Sequence, residues 1–179
     1  MPAKHPTTPT AEETAEDPRR LLAEHAAYVV QLAAQLREQA LDAALASIGL
    51  TSNRLRVLSI VRRMKSSTMG ELAFLTGIDR TTLTRTVDQL TAAELVTRRE
   101  APRDRRKVAL VLTPKGARLH RSAIPMAAEI NRTAFADISD ERLREAIKVL
   151  RDAIGQLVTD PRDLETLMNL DRTARAVID

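Results

Sequence analysis

Apolar residues recur at three- and four-residue spacing from Arg19 to about Ser47, through Leu22, His25 or Ala26, Val29, Leu32, Leu36 and Ala40. This spacing predicts one long amphipathic helix, roughly 42 Å from end to end at 1.5 Å per residue. A helix of that length in so short a chain suggests that another subunit completes its packing. Gly49 ends the segment, and Thr51 or Ser52 caps the next helix, whose inner face is Leu55, Leu58 and Ile60 or Val61 up to about Met64. Ser66-Ser67-Thr68 supplies a break and a cap. Met69, Leu72, Ala73 and Leu75 then mark a short helix that stops at Gly77, where a tight turn favours a residue without a side chain. Asp79 caps a third helix from Arg80 to about Ala93 with Leu83, Val87 and Leu90 inward. Two short helices joined around Gly77 have the spacing of a helix-turn-helix.

The period then changes. Leu95 to Glu100 reads as a short strand, Ala101 to Arg106 as a charged turn, and Lys107 to Leu112 as a returning strand. This predicts a small β wing attached to a three-helix unit. Thr113 is placed as an N-cap with Pro114 at the first helical position, where its missing N–H costs nothing. The helix that follows is expected to reach about Phe135, with Pro125 kinking or dividing it. Ser139 caps another, with the stripe Leu143, Ile147, Leu150, Ile154 and Leu157, and Asp140 and Glu141 favourable in its first turn. After Asp160-Pro161, residues 162–177 have the spacing of a last short helix, with Leu164, Leu167 and Leu170 on one side. The proline- and threonine-rich first 17 residues cannot bury enough apolar area to offset ordering and read as a flexible arm.

Composition sharpens this picture in three places. The chain of 179 residues has no cysteine, which removes disulfides, thiolate metal sites, cysteine nucleophiles and direct thiol redox sensing. It has no apolar leader and no uninterrupted apolar run near the ~20 residues that span a bilayer, so a cytoplasmic setting is expected. The formal charge of +4 conceals an asymmetry: Thr51–Lys107 holds 13 basic and 6 acidic residues, against 15 and 18 in the flanks. A basic middle between acidic flanks is what a localised polyanion-binding surface produces.

Off the Leu83–Val87–Leu90 face of the third helix lie Arg80, Thr81, Thr82, Thr84, Arg85 and Asp88. A helix can enter the major groove when its outward side chains are polar and its inward ones hold it to a core. Arginines there reach guanine edges or phosphates, and threonine methyls meet thymine. An ordinary exposed amphipathic helix has the same pattern. The hairpin that follows adds Arg98, Arg99, Arg103, Arg105, Arg106 and Lys107 against Glu100 and Asp104. A narrow arginine-bearing tip fits the minor groove, where the negative potential is focused, although a solvated charged hairpin would look alike. Taken together the two elements point to double-stranded DNA. Tyr28, Phe74 and Phe135 are too few aromatics for a single-strand stacking platform.

The stretch Asp79-Arg80-Thr81-Thr82-Leu83-Thr84-Arg85-Thr86-Val87-Asp88-Gln89-Leu90, then Leu95-Val96-Thr97-Arg98, Asp104-Arg105-Arg106 and Leu112-Thr113-Pro114-Lys115-Gly116, resembles the MarR family of transcriptional regulators. The likeness is specific from about Leu50 to Gly116 and looser, in helix order alone, from about Arg19 to Val158. Glu94 departs from the pattern, standing where the family commonly has glycine. The resemblance implies a mainly α fold with a two- or three-stranded wing: arm 1–18, dimerisation helix 19–50, winged helix-turn-helix 51–112, dimerisation helices 113–158 and tail 159–179. It implies a homodimeric repressor on palindromic DNA, with Arg106 the wing arginine of the minor groove, Asp104 its partner, Arg105 and Lys107 beside them, and Arg85 the recognition-helix arginine.

The resemblance further implies that, as in many members of the family, a small aromatic or lipophilic compound entering a cleft between dimerisation and DNA-binding parts releases the DNA; the cysteine oxidation that others use is closed to a chain without cysteine. Residues of the first, second and fifth helices that would line it are His25, Tyr28, Leu32, Leu58, Met64 and His120, each of which also reads as packing. No metal-ligand spacing, cofactor motif, phosphate loop or nucleophile–base pair stands out, so no metal, cofactor or enzyme activity is expected. The alternatives are a DNA-binding protein without effector control and a helical module whose basic hairpin meets an acidic protein.

Overall fold

The computed structural model describes residues 17–101, 104–160 and 163–167, the side chains at 101 and 104–107 excepted. In chain order the elements are α1 (Pro18–Leu45), α2 (Ser52–Met64), β1 (Ser67–Thr68), α3 (Met69–Thr76), α4 (Arg80–Ala92), β2 (Val96–Ala101), β3 (Asp104–Leu112), α5 (Pro114–Ala134) and α6 (Asp140–Leu157). A 3-10 turn at Ala46–Ile48 separates α1 from α2. Residues 163–167 are helical, and the rest of the expected tail helix lies outside the described residues, as does the arm before residue 17.

Short polar side chains start most of the helices. Thr51 caps α2 by accepting from the Arg54 N–H, and Ser139 caps α6 through Arg142. At α3 the cap is reciprocal: Thr68 accepts from the Glu71 N–H while the Glu71 carboxylate accepts from Thr68. Such a box satisfies two of the donors a helix start leaves unpaired. Gly49 and Gly77 stop their helices in the left-handed conformation, at φ 69° and 64°.

The chain divides into two compact units, one up to Gln39 and one from Ala40 onward. Within the first, α1 leaves Leu21, Leu22, Tyr28, Val29, Val30, Leu32 and Leu36 exposed. Within the second, α2 is the central element and packs on α3, α4, α5 and β3. Val57, Leu58, Val61, Leu72, Leu83, Val87 and Leu90 are closed from solvent there, joined by Leu41, Leu45, Val96, Leu110 and Ala123. Burying such a side chain contributes on the order of 1.5–3 kcal/mol, so this cluster holds the three short helices and the wing as one body.

Two expectations change and a third is narrowed. The sheet, expected to have two or three strands, has three in the order β1-β3-β2, all antiparallel. Its short first strand is Ser67–Thr68, part of the segment read as a break and a cap; it pairs with Leu110 and Ala109 while Thr68 still caps α3. The return strand begins at Asp104, not Lys107, and the ladder runs on to Ala101 opposite Asp104 past an irregularity after Glu100. Polar composition argues against a core position but does not bar backbone pairing in a ladder. Finally, of the kink or division expected at Pro125, division does not occur: the proline sits inside an undivided α5. His120 and Ala123 are buried before it, and Met126 and Ala127 pack on the core after it, so packing on both sides offsets the missing hydrogen bond.

Candidate nucleic-acid interface

The helix α4 is fixed at its start by Asp79, whose carboxylate accepts from the Thr82 N–H at 2.9 Å. Those Thr82 hydrogen bonds hold the Asp79 carboxyl below its ordinary range. Leu83, Thr86, Val87 and Leu90 form the buried side. Opposite them, Arg80, Thr81, Thr84, Arg85, Asp88 and Gln89 are exposed and line one open groove along the helix. Among the described residues neither Arg80 nor Arg85 is held in an ion pair. Thr82 is half-buried, and its carbonyl accepts from Thr86 Oγ1. The Thr84 hydroxyl donates to the Arg80 carbonyl at 2.8 Å, which leaves its methyl and lone pairs for a partner.

A second groove, of about 380 Å³, separates α4 from the wing and is lined by Arg80, Thr84, Arg98 and Val108 over Met69, Val87 and Leu110. Pairing of Val96 with Leu112, Arg98 with Leu110 and Glu100 with Val108 puts these residues on one face of the sheet. The backbones of Asp104, Arg105, Arg106 and Lys107 form the first half of β3; their side chains, and Arg103, lie outside the described residues.

Two arginines brace the second half of α4. Arg98 Nη2 donates to Asp88 Oδ1 at 2.9 Å. Arg54 Nη2 donates to Gln89 Oε1 at 2.9 Å while its Nη1 donates to the Gly49 carbonyl at 3.2 Å. Sequence reasoning placed Asp88 off the apolar face and Arg98 in the wing but paired neither, and it passed over Arg54 and Gln89. No local signal could have joined residues 10 and 35 positions apart.

The residues considered for an effector separate into different settings. On α1, His25 and Tyr28 stack with ring centroids 6.5 Å apart, and both they and Leu32 are exposed. In the second unit, Leu58 is enclosed in the core and Met64 is half-buried. His120 is buried at 6% exposure, its Nε2 3.0 Å from Ser59 Oγ, with no hydrogen-bond partner for Nδ1 among the described residues. Burial, and then the nearby Arg62 guanidinium, push the His120 pKa below its ordinary value, so the ring is neutral at pH 7.

Residues 48–107, from the end of the 3-10 turn into β3, match the MarR family profile. The chain is 33% identical over 105 residues to the HTH-type transcriptional repressor NicR of Pseudomonas putida, covering 59% of this chain and 66% of that repressor, just under two thirds. It superposes on a MarR family transcriptional regulator from Silicibacter pomeroyi with a TM-score of 0.70 and 26% identity, over 85% of this chain and 99% of the other. BpsR of Bordetella bronchiseptica, whose DNA binding is regulated by 6-hydroxynicotinic acid, superposes with a TM-score of 0.64 and 24% identity, over 72% of this chain and 98% of the other. That last likeness speaks to the fold alone. The capped helix α4, the three-stranded wing and the match to the MarR family thus lie on one segment, residues 48–107, and over that segment the chain is similar to MarR family transcriptional regulators.

Proposed function

We propose that this protein is a homodimeric, sequence-specific regulator of transcription that acts as a repressor on palindromic double-stranded DNA and is released by a small aromatic or lipophilic effector. The observation that carries the reading is the outer face of α4, exposed, polar and basic, held beside an arginine-rich hairpin by a buried apolar face. In this reading α4 enters the major groove, where Arg80 and Arg85 reach base edges or phosphates and Thr81 and Thr84 offer methyl and acceptor contacts. Thr82, half-buried, supports the helix start. The hairpin enters the adjoining minor groove with Arg106, aimed by Asp104 and flanked by Arg105 and Lys107. Phosphate contacts supply most of the affinity and its salt dependence, and base contacts select the site. It acts by binding rather than catalysis, in the cytoplasm where its DNA lies.

Repression is supported by the similarity to NicR, a repressor, and the class of effector to be tested is taken from BpsR, a protein of similar fold whose DNA binding is regulated by 6-hydroxynicotinic acid. In this reading His120, whose buried Nδ1 has no hydrogen-bond partner among the described residues, would meet a hydroxyl or carboxyl of the effector only where the α2–α5 contact opens to admit it. The test is a titration of operator, selected from random duplexes, at fixed salt. Arg106→Ala weakens operator binding about tenfold or more while the dimer persists, as expected for loss of a base-contacting arginine worth about 1–3 kcal/mol. Arg85→Ala lowers the ratio of operator to random-duplex affinity. Unchanged values in both variants would remove the interface as assigned, and a complex indifferent to aromatic acids would leave a DNA-binding protein without effector control.

A further inference from the structure

The ion pair between α4 and the wing has no part in the reading above. Arg98 and Asp88 are 55% and 59% exposed, and exposed pairs of this kind contribute little to folding. Their position carries more meaning than their energy. If α4 occupies a major groove and the hairpin the neighbouring minor groove, the sugar-phosphate ridge that divides the two grooves must run between them. The gap between α4 and the wing is the groove lined by Arg80, Thr84 and Arg98. Arg98 is therefore placed at the phosphate ridge, on the helix-facing side of the sheet, yet it donates to a carboxylate of the protein. Asp88 is itself an anion on the DNA-facing side, lining the same open groove as Arg80 and Arg85.

We propose that Asp88 is a positioning residue that caps the affinity for duplex DNA: its ion pair with Arg98 keeps that guanidinium off the phosphate backbone, at every sequence alike. The inference rests on the DNA-binding reading of α4 and the wing. A repressor that must be released gains from such restraint, since each added phosphate contact strengthens binding to operator and random DNA together.

The experiment uses the full chain, with binding of operator and scrambled duplexes followed by fluorescence anisotropy from 50 to 300 mM salt. Asp88→Asn frees Arg98 for one phosphate, so the slope of log K against log salt becomes steeper by about 0.9 for each protomer engaged. At 100 mM salt that corresponds to roughly eightfold tighter binding per protomer on both duplexes, with the operator preference unchanged. Arg98→Gln leaves an unpaired carboxylate facing the ridge and weakens binding to both. The double variant returns to the slope of the native chain, because it lacks both charges.

An Asp88→Asn protein with the native slope overturns the proposal. If its operator preference also changes, Asp88 reads a base; if its thermal midpoint falls, the pair is a structural brace. A native chain that binds no duplex at all would instead overturn the DNA-binding reading on which the proposal stands, and the proposal with it.

Discussion

Helices α4 and α6 have the same kind of apolar stripe and opposite fates. On α4, Leu83, Val87 and Leu90 are at most 1% exposed, pressed into the core around α2. On α6, Ile147, Leu150, Ile154 and Leu157 are all exposed and no residue is buried. Periodicity fixes which face of a helix is apolar, but what covers that face depends on the rest of the assembly. The winged-helix part closes its own core, so it folds around residues of one chain. The stripe of α6, and the apolar residues left exposed on α1, have the character of half an interface. A symmetric dimer is the commonest way to cover a self-complementary surface, and it sets two recognition helices against two half-sites.

The largest effect should come from breaking that contrast on the α6 side. Changing Leu150 and Ile154 together to Asp alters four side chains in a dimer, each worth about 1.5 kcal/mol or more when buried, a total of at least ~6 kcal/mol. Sedimentation should then give the mass of one chain, and operator affinity should fall by more than about a hundredfold as the paired half-sites are lost. Thermal unfolding of the winged-helix part should persist. A variant still sedimenting as two chains would show that another surface holds the dimer.

On the winged-helix side the sharpest constraint is Gly116, in the first turn of α5. A side chain there would overlap the carbonyl of Leu95, with the Leu95 carbon 2.9 Å away and Leu112 at 3.1 Å. That carbonyl already accepts from Thr113 N at 3.1 Å and Thr113 Oγ1 at 3.2 Å, so it is backbone held in place. Gly116→Ala should destabilise by about 2–4 kcal/mol, as overpacking against fixed atoms does. Urea unfolding followed by circular dichroism measures this, and a loss under ~0.5 kcal/mol would mean that the junction of strand and helix yields easily.

Much of this architecture is readable in the residues themselves, because its punctuation is local. Asp79, Thr113 and Ser139 cap the helices they precede, and Gly77 turns the chain between α3 and α4. Polar positions of α4 follow from its apolar ones. What escapes a linear reading is long-range: Ser67–Thr68 becomes a strand only because β3 offers it a free edge. Pro125 stays helical because both sides of it are packed. The partners Arg98 for Asp88, Arg54 for Gln89 and Ser59 for His120 are set by the fold.

Glu94 is a smaller flaw in the well-packed half. It follows α4 in the left-handed region at φ 59°, and the Leu95 N–H donates to the Leu90 carbonyl at 2.9 Å across it. This is a helix-ending loop in which glycine is the unstrained residue, and a side chain there costs roughly 1–2 kcal/mol. Glu94→Gly removes the strain, gives up an exposed contact with Lys115 at 3.7 Å, and adds freedom to the unfolded chain. The net expectation is a gain of about 0.5–1 kcal/mol in thermal or urea unfolding. A destabilised variant would show that the contacts of this glutamate outweigh the strain.

The smallest effect should be a change of slope rather than of level. His120 joins α5 to α2 through Ser59, and burial together with Arg62 lowers its pKa in the folded protein. The unfolded chain therefore takes up the proton first as pH falls. Stability contributed by the neutral ring is complete above the unfolded value of about 6.5, declines as pH drops from there to the folded value, and levels off once both states are protonated. His120→Gln removes that proton uptake, so its stability should lose this decline between about pH 6.5 and the acid side while keeping whatever other groups contribute. Denaturant midpoints at half-unit steps from pH 5 to 8 compare the two chains. Parallel profiles would mean that His120 opens to solvent often enough to titrate as it does in the unfolded chain, and that the α2–α5 contact is looser than the rest of the winged-helix core.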